Sequence, residues 1–277
     1  MKTPQDLKRF VMQKTAGTFK ATKSILKKKG MAIPVYVFGV QRSGTTMMIH
    51  CFNQLPDAEV LGEKSKATVN IKLKSNDEIR AIINDSKHDF VVFKPLMESA
   101  KAPELLSLKS GSKALWVFRK VEDRASSAVE RFGDHNLEVL TAISKGEMMD
   151  SWQAEGLTEE NLKMIKSFDW STVSPEDAAA VFWYIRNSLY FDLGFDKRKD
   201  IMPVAYEELV QRPEETLKRV CKFVGCEYVS GMAEIIHGKS LGKGGDSLDK
   251  RVSDMCHPMY DRLDKMQREF FSTLDKS

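Results

Sequence analysis

The chain has 277 residues, of which 42% are hydrophobic and 30% are charged, and its formal net charge is +4. This composition is ordinary for a soluble globular enzyme, and no apolar run approaches the ~20 residues that a membrane-spanning helix needs. The four cysteines contain no C-x-x-C pair and the five histidines are scattered, which excludes a zinc-binding array and favours a cytoplasmic location.

The first part of the chain is strongly basic. Residues 1–30 contain nine Lys or Arg and one acid, so their net charge is +8 and the rest of the chain carries −4. Its apolar residues cluster loosely on one side of a helical wheel, which allows two interpretations. The favoured one is a solvated helix or flexible tail, and the second is weak contact with a membrane surface. We therefore predict a basic segment over 1–33 and one α/β domain over 34–277, without a nucleic-acid partner.

A glycine-rich turn joins the first strand to the first helix. The apolar run 34–38 predicts a strand, and the periodic run 45–55 predicts a helix. Between them, Gly39 and Gly44 have the spacing of a Walker A phosphate loop, but Thr45 takes the place of its lysine and Arg42 supplies a cation instead. Helix N-termini bind anions through unpaired amides, and a guanidinium grips an oxyanion with two parallel hydrogen bonds. The turn therefore predicts a phosphate or sulfate site.

Further strands and helices follow in alternation. A short apolar stretch at 59–61 precedes Glu63, a helix is predicted near 77–84, and strands at 89–93 and 113–118 end in Lys94 and Arg119. This alternation predicts a three-layer, P-loop-like α/β fold with a central parallel sheet flanked by helices, whose ligands bind beyond the carboxyl ends of the strands. The residues at these strand ends are the cations Lys94 and Arg119, whereas a Mg-dependent NTPase needs a carboxylate at such a position. We therefore predict an anion site without a metal.

The second half of the chain is less informative about chemistry. The stretch 137–166 is helical in pattern, with Met148, Met149 and Trp152 as expected packing residues. A core helix is predicted over 175–193, a strand over 202–205, and a helix over 213–224 that Gly225 ends. The glycine-rich loop between 237 and 251 is a weak signal for a second phosphate contact.

Three motifs together resemble the sulfotransferases that use 3′-phosphoadenosine 5′-phosphosulfate (PAPS). They are the block from Arg42 to Thr46, Arg119 with Ser127 eight residues later, and Tyr206-Glu-Glu-Leu before a helix. The resemblance covers about 35–251. Its arginine-type loop looks like that of bacterial, carbohydrate and tyrosylprotein sulfotransferases, whereas the cytosolic members have lysine at this position.

The resemblance implies a role for each matching residue. The first block would hold the 5′-phosphosulfate, and Arg119 with Ser127 would hold the 3′-phosphate. Tyr206 would lie by the adenine, and a late loop would cover the 3′-phosphate. The implied donor-binding residues are Arg42, Ser43, Gly44, Thr45, Thr46, Arg119, Ser127, Tyr206, Lys243, Gly244 and Gly245, with no metal ligand.

The implied reaction moves a sulfuryl group from PAPS to an acceptor hydroxyl or amine. Arg42 would face the charge that builds on the leaving nucleotide, and Glu63 is the expected general base. A nearby Lys94 would keep Glu63 ionised and support the transferring group. Two rival functions are a P-loop nucleotide kinase or NTPase and a noncatalytic nucleotide-binding adaptor. The acceptor stays open among glycan, small alcohol, phenol, peptide tyrosine and lipid, and so does the oligomeric state.

Overall fold

The computed structural model describes residues 30–238, 241–242, 244 and 248–277. Most of the predicted basic segment therefore lies outside the described residues, as do Lys243 and Gly245 of the predicted donor site. Within the described ranges, none of the helices combines the length and the apolar character required to cross a bilayer.

The core of the fold is a parallel sheet. The strands in chain order are β1 (Ile33–Phe38), β2 (Ala58–Leu61), β3 (Thr68–Val69), β4 (Lys72–Leu73), β5 (Phe90–Phe93), β6 (Lys113–Phe118) and β7 (Ile201–Ala205). Five of them form one sheet in the order β2-β5-β1-β6-β7, and every neighbouring pair is parallel. The predicted α/β class is confirmed.

Helices cover both faces of this sheet. In chain order they are α1 (Thr45–Phe52), α2 (Asn76–Asp85), α3 (Ala102–Ser107), α4 (Val121–Phe132), α5 (His135–Ser144), α6 (Glu159–Lys166), α7 (Pro175–Asp192), α8 (Tyr206–Gln211), α9 (Pro213–Val224), α10 (Gly231–Glu234) and α11 (Lys250–Lys276). The alternation of side chains along each strand divides the core into two apolar clusters. In β1, Tyr36 and Phe38 join the cluster under α4, α5 and α7, whereas Val35 and Val37 join the one under α1 and α9.

The strand order places the site at the centre of one sheet edge. From β1 the chain crosses to β2 and β5 on one side and later returns to β6 on the other, so the carboxyl end of β1 is a topological switch point. The loop after β1 leads directly into α1 at this end. Lys94 follows β5, Arg119 follows β6, and Tyr206 follows β7, so three of the predicted site residues meet at the same edge.

Two segments differ from the sequence prediction. The connection between Glu63 and α2 contains the antiparallel β3–β4 hairpin, which is too short to leave a clear period-2 pattern. The stretch 137–166 is not one continuous helical region, because α5 ends at Ser144 and Gly146 has a φ of +82°. The prediction that Met148 and Met149 pack in the interior was wrong, since the turns that follow leave them 43% and 42% exposed.

Candidate active site

The loop between β1 and α1 requires glycine at two positions. A Cβ on Gly39, whose φ is +143°, would lie 2.2 Å from the carbonyl oxygen of Val117 in β6. A Cβ on Gly44, whose φ is +98°, would lie 2.4 Å from the ring of Tyr206. Both distances are too short for any Cβ. The two glycines therefore allow the loop to pack closely against the neighbouring strand and the Tyr206 ring.

The loop leads into the N-terminus of α1, which has no side-chain cap from its N-cap residue. Gly44 is the N-cap of α1 and makes no side-chain cap, and the first turn of the helix contains no acid. The first amides of α1 and the positive end of its dipole are thus left for an anion. The hydroxyl of Ser43 is buried and has no hydrogen-bond partner among the described residues.

Arg42 contacts Ser127, a residue that was predicted to bind the opposite end of the donor nucleotide. Its backbone adopts a left-handed φ of +72°, and its Nε donates to the hydroxyl of Ser127 on α4 at 3.1 Å. The motif resemblance implies that Arg42 binds the 5′-phosphosulfate and that Ser127 binds the 3′-phosphate. The structure brings them into direct contact, so the two predicted anion pockets are adjacent.

Arg119 is buried against the same loop. One of its Nη atoms donates to the carbonyl oxygen of Arg42 at 3.2 Å, and its guanidinium lies 4.6 Å from the ring centroid of Tyr206. Its other Nη lies 3.6 Å from the carboxylate of Asp123 one turn into α4. The side chain is 4% exposed, so its orientation is fixed by contacts on several sides.

The late glycine-rich loop docks beside Arg119. The two carboxylate oxygens of Asp123 accept hydrogen bonds from the amides of Gly242 at 2.9 Å and Gly244 at 2.8 Å. A Cβ on Gly244 would lie 2.4 Å from the carbonyl carbon of Glu122, so this position has no room for a side chain. Asp123 was not predicted as a site residue, and it is the group that joins the late loop to the strand-end arginine.

A buried cation and a half-exposed acid form the second part of the site. Lys94 is 6% exposed, and its Nζ donates to the hydroxyl of Thr46 at 2.6 Å and forms an ion pair with the carboxylate of Glu63. Glu63 is 32% exposed, so its carboxylate is accessible from the cavity. The predicted pair of base and cation is therefore in contact, and it is tied to α1 through Thr46.

Arg124 supports the anion loop from behind, and the sequence analysis did not single it out. Its Nε donates to the carbonyl oxygen of Gln41 at 3.0 Å, and one Nη donates to the carbonyl of Ala179 at 2.6 Å. Its side chain is fully buried, and its guanidinium lies 5.6 Å from the ring centroid of Phe182. Burial, and secondarily the charge of Arg42, lowers the pKa of Arg124 to about 9. The sequence signal that could have identified Arg124 is its position five residues after the strand-end Arg119.

One cavity connects these groups. It has a volume of about 880 Å³, and its lining includes the loop residues, both cations that follow β5 and β6, and the expected base. The members of the predicted site that line it are Arg42, Gly44, Thr45, Thr46, Glu63, Lys94, Arg119 and Tyr206. Ser43 is buried behind the loop, and Ser127 contributes through its bond to Arg42.

The family model that describes the sulfotransferase domain matches residues 33–241. The chain belongs to the sulfotransferase family. No curated protein sequence matches this sulfotransferase significantly.

Solved sulfotransferase structures are similar to it at low sequence identity. A sulfotransferase from Alicyclobacillus acidocaldarius has a TM-score of 0.51 and 14% identity, covering 84% of this chain and 95% of that chain. The sulfotransferase domain from the curacin biosynthetic pathway has a TM-score of 0.49 and 14% identity, covering 90% and 98%. Mouse sulfotransferase SULT7A1 complexed with PAP has a TM-score of 0.44 and 12% identity, covering 93% of each chain. The first likeness shows a shared fold.

Cations, rather than a cluster of acids and histidines, line the cavity of the sulfotransferase in the part of the chain that the structure describes. Among the residues that the structure describes, no three of the His, Cys, Asp and Glu side chains come together in a group suited to a metal ion. The Lys and Arg side chains that line the cavity are Arg42, Lys64, Lys94, Arg119 and Arg131. Lys94 is paired with Glu63.

Proposed function

We propose that this sulfotransferase moves a sulfuryl group from PAPS to an acceptor hydroxyl or amine, with Glu63 as the general base. The observation that carries the proposal is the single cavity that joins the glycine loop and Arg119 to the Lys94–Glu63 pair. One compartment thus holds groups suited to a nucleotide anion beside a carboxylate placed to accept a proton.

The residues fit the donor in charge and shape. The α1 N-terminus, Arg42 and Arg119 supply positive charge for the phosphates and the sulfate. The absence of a side chain at Gly44 lets the loop pack closely against the ring of Tyr206, and the guanidinium of Arg119 lies 4.6 Å from the centroid of that ring. We propose that the 5′-phosphosulfate lies on the loop and that the 3′-phosphate lies by Arg119, Ser127 and the late loop that Asp123 holds.

The transfer step follows from the Lys94–Glu63 pair. The acceptor oxygen forms a bond to sulfur while the bond between sulfur and the bridging phosphate oxygen breaks. Glu63 takes the acceptor proton, and the electron pair of the broken bond stays on the leaving adenosine bisphosphate. Lys94 and the loop amides stabilise the charge that develops there, a kind of contribution worth about 10²- to 10³-fold in rate for one preorganised donor.

The same charges support transfer without a divalent ion. In Mg-dependent phosphoryl transfer, the metal neutralises charge between the phosphates and is held by carboxylates. Here Lys94 occupies the strand end next to β1 on one side and Arg119 the strand end on the other. We propose that these two cations neutralise the donor directly.

Calorimetry separates this function from the kinase alternative. We expect 3′,5′-adenosine bisphosphate to bind without Mg²⁺ and more tightly than ATP with Mg²⁺. Arg119→Ala is expected to weaken that binding at least 10-fold, because the variant loses a buried partner of the ligand. Arg80→Ala, at an exposed arginine on α2, is the matched control. Preference for Mg-ATP would contradict the proposal.

Turnover separates an enzyme from a noncatalytic adaptor. Glu63→Gln is nearly isosteric, so it is expected to keep bisphosphate affinity within about twofold and to lower sulfuryl transfer by about 10²- to 10⁴-fold. The measurement is release of adenosine bisphosphate from PAPS in the presence of an acceptor. Normal transfer by the Glu63→Gln protein would show that another residue is the base.

A further inference from the structure

We propose that the acceptor carries an anionic group, a carboxylate in the simplest case, beside the hydroxyl that Glu63 deprotonates, and that Lys64 and Arg131 bind this anion. The inference rests on the proposed function and selects the acidic members of the acceptor classes that the sequence left open. It depends on two cations of the active-site cavity that have no part in the proposed donor site, and on the polar groups that line the cavity with them.

The charge of the active-site cavity is one-sided. Five Lys or Arg side chains line it, and Glu63 is the single acid among its described lining residues. A neighbouring cavity of about 300 Å³ is mixed instead, because both lysines and acids line it and its Lys101 forms an ion pair with Glu155 at 3.4 Å. A cleft that is lined by one sign of charge attracts ligands of the opposite sign.

Two of the five cations are used neither by the proposed donor site nor by an acid. Lys94 and Arg119 each lie within ion-pair distance of a carboxylate, and Arg42 belongs to the anion loop. Lys64 and Arg131 are exposed, and within the described part of the chain neither forms an ion pair with a carboxylate. Both charges can therefore bind a negative group of a ligand that enters the cavity.

Arg131 lies one helical turn beyond Ser127 on α4. It is four residues after Ser127, so the two side chains share one face of the helix. The helical rise separates them by about 6 Å along the axis. Because α4 begins two residues after Arg119, the order along this segment is Arg119, Ser127 and then Arg131. A 3′-phosphate at the first two residues is expected to leave Arg131 to the second substrate.

Lys64 directly follows the proposed base, in a segment that the β3–β4 hairpin holds. The Thr68 hydroxyl donates to the carbonyl oxygen of Glu63 at 2.9 Å and accepts a hydrogen bond from the amide of Ser65 at 3.2 Å. One hydroxyl of the hairpin thus holds the backbone on both sides of Lys64. The ammonium group is therefore attached to a preformed segment next to the carboxylate that takes the acceptor proton.

The cavity lining also contains two buried side-chain amides with unused donors. Gln153 is 7% exposed, and its side chain makes no hydrogen bond with the residues that the structure describes. Asn136 is 6% exposed, and its side-chain oxygen accepts a 3.4 Å hydrogen bond from Arg124, so its NH₂ group is left for another acceptor. Buried polar groups of this kind are ordinarily satisfied by a partner. The oxygens of an acidic acceptor would supply such partners.

Matched pairs of acceptors that differ in one negative charge test the inference. The pairs are 4-hydroxyphenylacetate with its amide, N-acetyltyrosine with N-acetyltyrosinamide, and glucuronate with glucose, compared by PAPS-dependent release of adenosine bisphosphate. We expect kcat/KM for the acid to exceed that for its neutral partner about 10-fold or more, and higher ionic strength to reduce this preference. Equal values within the pairs, a preference for the neutral partners, or no transfer to any acid would overturn the inference.

Two substitutions separate acceptor recognition from donor binding. In calorimetry with adenosine bisphosphate bound, Lys64→Gln and Arg131→Gln should each weaken binding of 4-hydroxyphenylacetate about 10-fold. The affinity for the bisphosphate itself should stay within about twofold. Lys163→Gln, at an exposed lysine on α6 that lines neither cavity, is the matched control and should change neither affinity. All three side chains are exposed, so the variants are expected to fold.

The outcomes distinguish the inference from the proposed function. If Lys64→Gln and Arg131→Gln weakened the bisphosphate as much as the acid, the two cations would belong to the donor site and the inference would be overturned. Equal effects of all three variants on the acid, or no binding of the acid by the wild-type protein, would also overturn it. Failure of the wild-type protein to bind the bisphosphate would instead contradict the proposed function.

Discussion

Arg42 and Ser127 lie 85 residues apart in sequence and are joined by a 3.1 Å hydrogen bond from Nε to the hydroxyl. The bond links the anion loop after β1 to the helix after β6. Because Arg119 also donates to the Arg42 carbonyl, the side chain and the backbone of Arg42 are both held by the segment that follows β6. We therefore expect ligand binding at the loop to be coupled to the position of α4.

This link predicts energetic coupling between the two residues in nucleotide binding. Arg42→Ala and Ser127→Ala are each expected to weaken 3′,5′-adenosine bisphosphate binding. The double variant should lose less than the sum, with a coupling energy of about 1 kcal/mol. Ser126→Ala, at the adjacent serine on α4, is the control and should not couple to Arg42. Additive losses from Arg42 and Ser127 would show that the ligand uses the two residues independently.

Gly44→Ala is expected to weaken nucleotide binding strongly. The loss of affinity should be larger than the loss of folding stability can explain. Its Cβ would lie 2.4 Å from the Tyr206 ring, so the ring or the loop has to move. Gly111→Ala is a matched control, because Gly111 also has a positive φ of +83° and a Cβ there meets nothing within 4 Å. Both variants are expected to lose about 1 kcal/mol from backbone strain. Comparable bisphosphate affinities in the two variants would contradict the close fit of loop and ring.

Lys94→Met is expected to reduce turnover by about 10²-fold or more and to weaken donor binding as well. The variant removes a buried cation that contacts both Thr46 and Glu63, so the donor loses countercharge and the base loses its partner. Single-turnover rates at saturating PAPS measure the effect on transfer. A loss confined to KM would assign Lys94 to binding alone.

Arg124→Met is expected to lower both the stability and the nucleotide affinity. The side chain donates to the backbone of the anion loop at Gln41, and losing a buried hydrogen bond from a charged group costs about 1.5 to 3 kcal/mol. Arg186→Met is the control, since Arg186 is another buried guanidinium, and it donates to the carbonyl oxygens of Trp152 and Glu155 rather than to that loop. The midpoint temperature of thermal unfolding should fall in both variants. Only Arg124→Met should weaken binding of the bisphosphate. Equal affinities would make Arg124 a purely structural residue.

Glu207→Gln is expected to change how stability depends on pH. Burial raises the pKa of Glu207, although its carboxylate accepts a 3.0 Å hydrogen bond from the Lys120 amide. The folded state therefore holds this proton more tightly than the unfolded state, so the contribution of Glu207 to stability falls as pH rises from the unfolded pKa through the raised one. In urea unfolding from pH 4 to pH 8, the free energy of unfolding of Glu207→Gln should increase relative to that of the wild type as pH rises. A constant difference would contradict the shift.

Much of the fold and of the site was readable from local sequence signals. The strand at 113–118 and the helix at 213–224 have the bounds that were predicted, because an apolar run and a Pro-to-Gly frame define them locally. Gly39 and Gly44 were identified by spacing, and both prove to need the absence of a side chain. The strand-end positions of Lys94 and Arg119 followed from alternation alone.

Other features depended on contacts between distant parts of the chain. No local pattern shows that Arg42 meets Ser127, that Asp123 holds the late loop, or that Arg124 reaches Gln41. The exposure of Met148 and Met149 was likewise missed, because apolar residues in a helical pattern ordinarily pack inside.

The layered α/β fold, the glycine loop and the charged residues at the strand ends follow from the amino-acid sequence, since periodicity and residue-specific backbone preferences specify them. Which of those charges contact one another, and where apolar side chains stay exposed, became known from the packing of the elements in three dimensions. The physical reason is that side-chain contacts between separate elements depend on how the helices pack on the two faces of the sheet, which local preference does not encode.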